Sequence, residues 1–76
     1  MEPLAGEELV TVKIRVFGRE DKVVRVPRGS TIERVIRLLS LNPVEVVAAK
    51  NGEVVTEEEE VEDGDFIELY SVVSGG

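Results

Sequence analysis

Between Leu9 and Phe17 apolar and polar positions alternate strictly, with Val10, Val12, Ile14 and Val16 on one side and Thr11, Lys13 and Arg15 on the other. A period of two over this length predicts a strand with one face buried. Gly18 to Lys22 supplies a turn and Val23 to Val26 a second strand, with Val24 and Val26 pointing inwards, so the two strands form a hairpin. Pro27-Arg28-Gly29 breaks the ladder. Ser30-Thr31-Ile32-Glu33 then has the spacing of a capping box, in which Ser30 offers its hydroxyl to an unpaired amide and Glu33 reaches back. The period now changes to that of a helix. Ile32, Val35, Ile36 and Leu39 form one apolar stripe, while Glu33, Arg34 and Arg37 face water. Asn42-Pro43 closes a helix of about ten residues, too short to persist alone, so it must lie across the strands.

Val44 to Lys50 reads as a third strand whose inward face is either Val44/Val46 or Val47/Ala49. Asn51-Gly52 is a strong hairpin signal and leads into a short strand from Glu53 to Val55. Glu57 to Glu60 is a carboxylate run that cannot be buried, and Asp63-Gly64-Asp65 is a second tight turn. Phe66 to Val73 is the last strand, with Ile67 and Leu69 inside and Phe66, Tyr70 and Val72 alternating on the outer side. The order β-β-α-β-β-β predicts an α+β fold, a β-grasp roll with a mixed sheet of four or five strands and one amphipathic helix across it. In that arrangement the first and last strands are central, parallel neighbours. Residues 1–8 lack apolar period and are expected to be a disordered acidic lead-in, residues 9–73 the folded domain, and residues 74–76 a flexible tail.

Composition narrows the chemistry. Seventy-six residues make one small domain without cysteine or histidine, which removes the thiolate nucleophile, the disulfide framework and the commonest general base. Intrinsic catalysis is therefore not expected, and neither a bound cofactor nor a metal. Fifteen valines favour sheet. A net charge of −7 opposes nucleic-acid binding and suits a monomer or a partner with a basic face. No run approaches membrane-spanning length and residues 1–10 lack the pattern of a signal peptide, so a cytoplasmic location is expected.

The last strand runs directly into Ser74-Gly75-Gly76. Two glycines present no side chains next to the α-carboxylate, so the backbone could thread a narrow channel and the carboxylate could react unhindered. The plain alternative is a frayed end. The outer cluster of Phe66, Tyr70 and Val72 is either a protein-docking surface or, for the aromatics, a plug over the second side of a small core. Arg34 and Arg37 either meet an acidic partner or form a solvated helix face. Glu57 to Glu60 reads as solvating, and Asp63 and Asp65 as turn residues rather than a catalytic pair.

Taken in order, Asn51-Gly52-Glu53-Val54-Val55, Asp63-Gly64-Asp65 and Val72-Val73-Ser74-Gly75-Gly76 resemble the ubiquitin-like sulfur carriers and small protein modifiers, over nearly all of residues 9–76. The short helix followed quickly by the third strand is most similar to the thiamine-pathway carriers and archaeal modifiers, and less to the molybdopterin-synthase small subunit. Lys50, the glutamate run and the eight-residue lead-in depart from the usual carrier. The resemblance implies a sulfur carrier, not an enzyme, whose Gly76 carboxylate is adenylated by a ubiquitin-activating-type partner using ATP and Mg²⁺. A persulfide would then convert it to a thiocarboxylate for thiamine, molybdopterin or tRNA thiolation. The alternatives are conjugation of Gly76 to lysines of target proteins, or a plain β-grasp interaction domain. Gly75 and Gly76 would be the reactive end, and Phe66, Tyr70, Val72, Val73 and Ser74 the partner-binding residues.

Overall fold

A computed structural model describes residues 8–72. Strand β1 (Leu9–Val16) and strand β2 (Glu20–Pro27) form an antiparallel hairpin, followed by helix α1 (Ile32–Leu38) and a 3₁₀ turn (Pro43–Glu45). Strands β3 (Val46–Lys50), β4 (Glu53–Val55) and β5 (Phe66–Ser71) complete the chain. The sheet order is β2-β1-β5-β3-β4, with β1 and β5 parallel and the other pairs antiparallel. This is the β-grasp roll expected from the order of elements, with the first and last strands at its centre.

The core lies between the helix and one face of the sheet. Val10, Val12, Ile14 and Val16 of β1 are buried, as are Ile67 and Leu69 of β5 and Ile32, Val35 and Ile36 of the helix. Val26 joins them and Val24 packs at the margin. On β3 the inward positions are Val46 and Ala48, whereas Val44 is 83% exposed because Pro43 starts a 3₁₀ turn where extended backbone was expected. Asn42 caps that turn, its side-chain oxygen accepting from the Val44 amide at 3.1 Å. The strand begins two residues later than its valines suggested. Val61, just past the glutamate run, is a core residue without a periodic signal, 2% exposed.

The helix is shorter and capped differently than its sequence predicts. It ends at Leu38 because Ser40 turns into positive φ, before Asn42-Pro43 is reached. Its N-cap is Thr31, whose hydroxyl accepts from the Arg34 amide at 3.4 Å. Ser30 is buried and donates its hydroxyl to the Pro27 carbonyl at 2.6 Å, and Glu33 pairs with Arg37 at 3.0 Å instead of reaching back. The capping box is replaced by the glutamate run, used through its backbone. The Ile32 amide donates to the Glu59 carbonyl at 2.8 Å, the Glu33 amide to the Glu57 carbonyl at 2.9 Å, and the Val61 amide to the Ser30 carbonyl at 2.9 Å. The amides of the first helical turn therefore all have acceptors. The carboxylates of Glu57 to Glu60 stay in solvent, as expected, while their backbone clamps the helix to the sheet.

Candidate functional site

The path of β5 is set by the turn before it. The Gly64 amide donates to the Thr11 carbonyl and the Thr11 amide to Oδ1 of Asp63, both at 2.8 Å; the Lys13 amide donates to the Asp65 carbonyl at 3.0 Å. Gly64 takes φ +87°, where a side chain would be strained. Asp65 is buried and accepts from the Glu62 amide at 2.7 Å and from Nδ2 of Asn51 at 2.9 Å. Asn51 in turn receives the Phe66 amide at 2.9 Å on its side-chain oxygen. Lys50 closes this network, with Nζ 3.0 Å from Glu59 and donating to the Glu60 carbonyl at 3.1 Å. Asp63 and Asp65 are thus structural, fixing Phe66 opposite Lys13 and Leu69 opposite Val16.

The face of the sheet away from the helix carries the outward residues of every strand. Asp21, Arg15, Glu68, Ala49 and Val54 form one cross-strand row, and Val23, Lys13 and Phe66 another. Tyr70 lies opposite Val47. Tyr70 is 46% exposed and Val54 75%. Arg15 pairs with Asp21 at 2.9 Å and holds its guanidinium 5.4 Å from the centre of the Phe66 ring. The hydrogen bond from Arg15 lowers the Asp21 pKa; desolvation, then the neighbouring Glu68, raises that of the Tyr70 phenol, which stays neutral. The result is an apolar patch around Tyr70, Val47 and Val54, bordered by a row of charges.

Beyond Leu69 the last strand loses its β1 neighbour. The Phe17 amide donates to the Leu69 carbonyl at 2.9 Å, and Tyr70 and Ser71 then pair with β3 alone. Val72, 54% exposed, donates its amide to the Glu45 carbonyl at 3.0 Å. Val72 therefore lies beside the 3₁₀ turn, at the edge of the Tyr70 patch.

This architecture ends in a sequence that a family model matches over residues 12–76, described as the ThiS family. The chain belongs to the ThiS family. The sulfur carrier protein TtuB of Thermus thermophilus is 40% identical over 57 residues, covering 75% of this chain and 88% of that protein. Among solved structures, a putative molybdopterin converting factor subunit 1 from Pyrococcus furiosus superposes with a TM-score of 0.69 at 22% identity, covering 84% of this chain and 99% of the other. A ubiquitin from Caldiarchaeum subterraneum gives 0.68 at 21% identity, covering 91% and 100%. At these identities the two structures speak for the β-grasp fold alone. They agree with the five-stranded sheet and single helix of this ThiS-family chain.

Of the residues expected to bind a partner, Phe66 and Tyr70 do share the outer face of β5, and Val72 is exposed at its end. Phe66 is half-buried beneath Arg15 and stands apart from the core cluster. Val73, Ser74, Gly75 and Gly76 lie outside the described residues, as do residues 1–7. Glu8 pairs with Arg28 at 2.7 Å. Val47 and Val54 complete the patch and were missed. Their signal was the Val47/Ala49 alternation, which register with Tyr70 turns outwards. Among the described residues no group of three or more metal-ligating side chains comes together, and no helix is long and apolar enough to cross a membrane.

Proposed function

We propose that this ThiS-family chain is a sulfur carrier that works through the carboxylate of Gly76. The observation that carries this is the 40% identity with the sulfur carrier protein TtuB, together with a family match that runs through Gly75-Gly76. The small domain has no histidine or cysteine for chemistry of its own, so the activating steps belong to a partner. An adenylating enzyme with ATP and Mg²⁺ would let the Gly76 carboxylate attack the α-phosphorus and release pyrophosphate, leaving an acyl-adenylate. A persulfide on a partner cysteine would then attack the acyl carbon and expel AMP. Reduction of the resulting acyl disulfide by a thiol would release the thiocarboxylate and a disulfide. Gly75 adds the slimness needed to enter the enzyme's channel.

Docking of that enzyme is assigned to the outer sheet face. Tyr70, Phe66 and Val72 supply the anchors, Val47 and Val54 extend them, and Val73 and Ser74 follow on the way to the reacting group. Exposed aromatic and aliphatic side chains at the base of the tail are the kind of cluster in which interface energy concentrates. ATP–pyrophosphate exchange with the adenylating enzyme of the same host tests the reading. Wild type should support exchange and a chain lacking Gly76 should not, with unchanged circular dichroism. Normal exchange by the shortened chain would overturn it.

A further inference from the structure

The charge of this chain is unevenly distributed. From Lys13 to Arg25 the β1–β2 hairpin carries Lys13, Arg15, Arg19, Lys22 and Arg25 against Glu20 and Asp21, a surplus of three positive charges in a chain of net −7. More than half of the nine basic residues therefore sit on one hairpin. Strand register fixes where they point. Thr11, Lys13 and Arg15 alternate with the buried Val10, Val12 and Ile14, and Arg25 lies opposite Thr11, so Lys13, Arg15 and Arg25 share the outer face. Lys13 is also in register with Phe66, which places the basic strip on the same sheet face as the apolar patch, with the Asp21–Arg15–Glu68 row between them. Arg15 is satisfied by Asp21, but among the described residues neither Arg19 nor Arg25 has a side-chain ion pair, and exposed Val23 stands between Asp21 and Arg25.

We propose that the outer sheet face is a two-part docking surface. Its apolar half around Tyr70, Val47 and Val54 provides contact, and its basic half at Lys13 and Arg25 selects an adenylating enzyme with a carboxylate-rich surface opposite β2. This rests on the sulfur-carrier reading above. A strip of local positive charge on an acidic protein orients the encounter as well as attracting it, because a partner presenting acidic residues anywhere else meets net repulsion. The apolar half and the intervening Glu68 and Asp21 suit a protein surface better than a polyanion.

The test is stopped-flow association with the adenylating enzyme of the same host, without ATP, across a salt series. Lys13→Glu/Arg25→Glu is compared with Arg28→Glu/Arg34→Glu, which makes the same change in net charge on the other side of the domain. Lys13→Gln/Arg25→Gln serves as the milder variant should the reversal disturb folding. The outer-face reversal should slow association about tenfold or more at low salt, and the gap should close as the Debye length falls to about 8 Å at physiological ionic strength. The helix-side pair should change the rate by less than about twofold. Equal slowing in both pairs, no slowing in the outer-face variants, or wild-type association with a random RNA oligomer that the reversal abolishes would each overturn the proposal. Because association is scored without ATP, a wild type that binds but is never adenylated refutes the carrier chemistry while the rates still decide the surface.

Discussion

The amide of Val72 donates to the carbonyl of Glu45 at 3.0 Å, so the end of the described chain is tied to the 3₁₀ turn. This bond holds Val72 against the β3 side of the Tyr70 patch. Val72→Pro removes the donor and should cost only about 0.5–1.5 kcal/mol in a denaturant titration. Its effect on adenylation should be larger than that small loss suggests, because Val72 is then no longer tied to the 3₁₀ turn. Adenylation at the wild-type rate by the folded variant would mean that this anchor does not guide the tail.

The helix is held by its buried stripe and by Val61. Ile36, 1% exposed at the centre of the core, should lose about 2–5 kcal/mol on truncation to alanine, a large share of the stability of a small domain. Val61→Ala should cost about 1.5–3 kcal/mol, since Val61 is buried and ends the segment whose carbonyls cap the helix. Chemical denaturation measures both. Loss of less than about 0.5 kcal/mol at Val61, a third or less of the burial scale, would mean the clamp is not part of the cooperative fold.

Helix capping offers a sharper comparison. Thr31→Ala removes a cap whose hydrogen bond is long, while two further amides of the same turn are bound by Glu57 and Glu59 carbonyls. The loss should fall near the low end of the usual range, about 0.5 kcal/mol. Ser30→Ala removes the 2.6 Å bond from a buried hydroxyl to the Pro27 carbonyl, which keeps the Ser30 amide at 3.0 Å, and should cost the full worth of one hydrogen bond, about 1–1.5 kcal/mol. Reversal of that order in thermal unfolding would mean that the buried Ser30 hydroxyl contributes less than the Thr31 cap.

Two ion pairs give the stability a pH dependence. The hydrogen bond to Glu59, followed by the nearby charges of Glu59, Asp65 and Glu62, raises the Lys50 pKa above the ordinary value of 10.5. Its contribution is complete below that value and lost as pH rises through the folded one, so wild type should lose stability on the alkaline side relative to Lys50→Met. At neutral pH that substitution should cost about 1–3 kcal/mol, because Glu59 and Asp65 lose their cation. Asp21, lowered by its hydrogen bond to Arg15, behaves oppositely. Its contribution is present above 3.8 and fades as pH falls through the folded value, and Arg15→Gln should flatten that acid limb. Parallel stability curves for Lys50→Met and wild type up to high pH would contradict the Lys50 assignment.

Strand β1, the helix stripe and the two turns were legible because each is a local pattern: alternation, a 3.6-residue period, and Asn-Gly or Asp-Gly at a required bend. What escaped depends on residues far apart in the chain. The carbonyls of Glu57 and Glu59 reach the helix from some 25 residues away, a pairing no capping motif encodes. The outward face of β3 follows from its register with β5, since Val46 and Val47 are equally apolar, and so the place of Val47 and Val54 in the patch depends on the sheet order and not on any local pattern. Val61 is a single valine among carboxylates and gives no period at all.

The central claim, that sulfur is carried on the Gly76 carboxylate, is tested most directly by intact mass spectrometry of the protein isolated from its host, followed by fragmentation of the C-terminal peptide. The account predicts a species heavier by the difference between a sulfur and an oxygen atom, with the extra mass on Gly76 and that species alone gaining one alkyl group at Gly76 when treated with a thiol-alkylating reagent. An unmodified C-terminus under conditions where the adenylating enzyme is active would contradict it. So would the finding that Gly76 occurs only as a glycyl-glycine branch on lysines of other proteins.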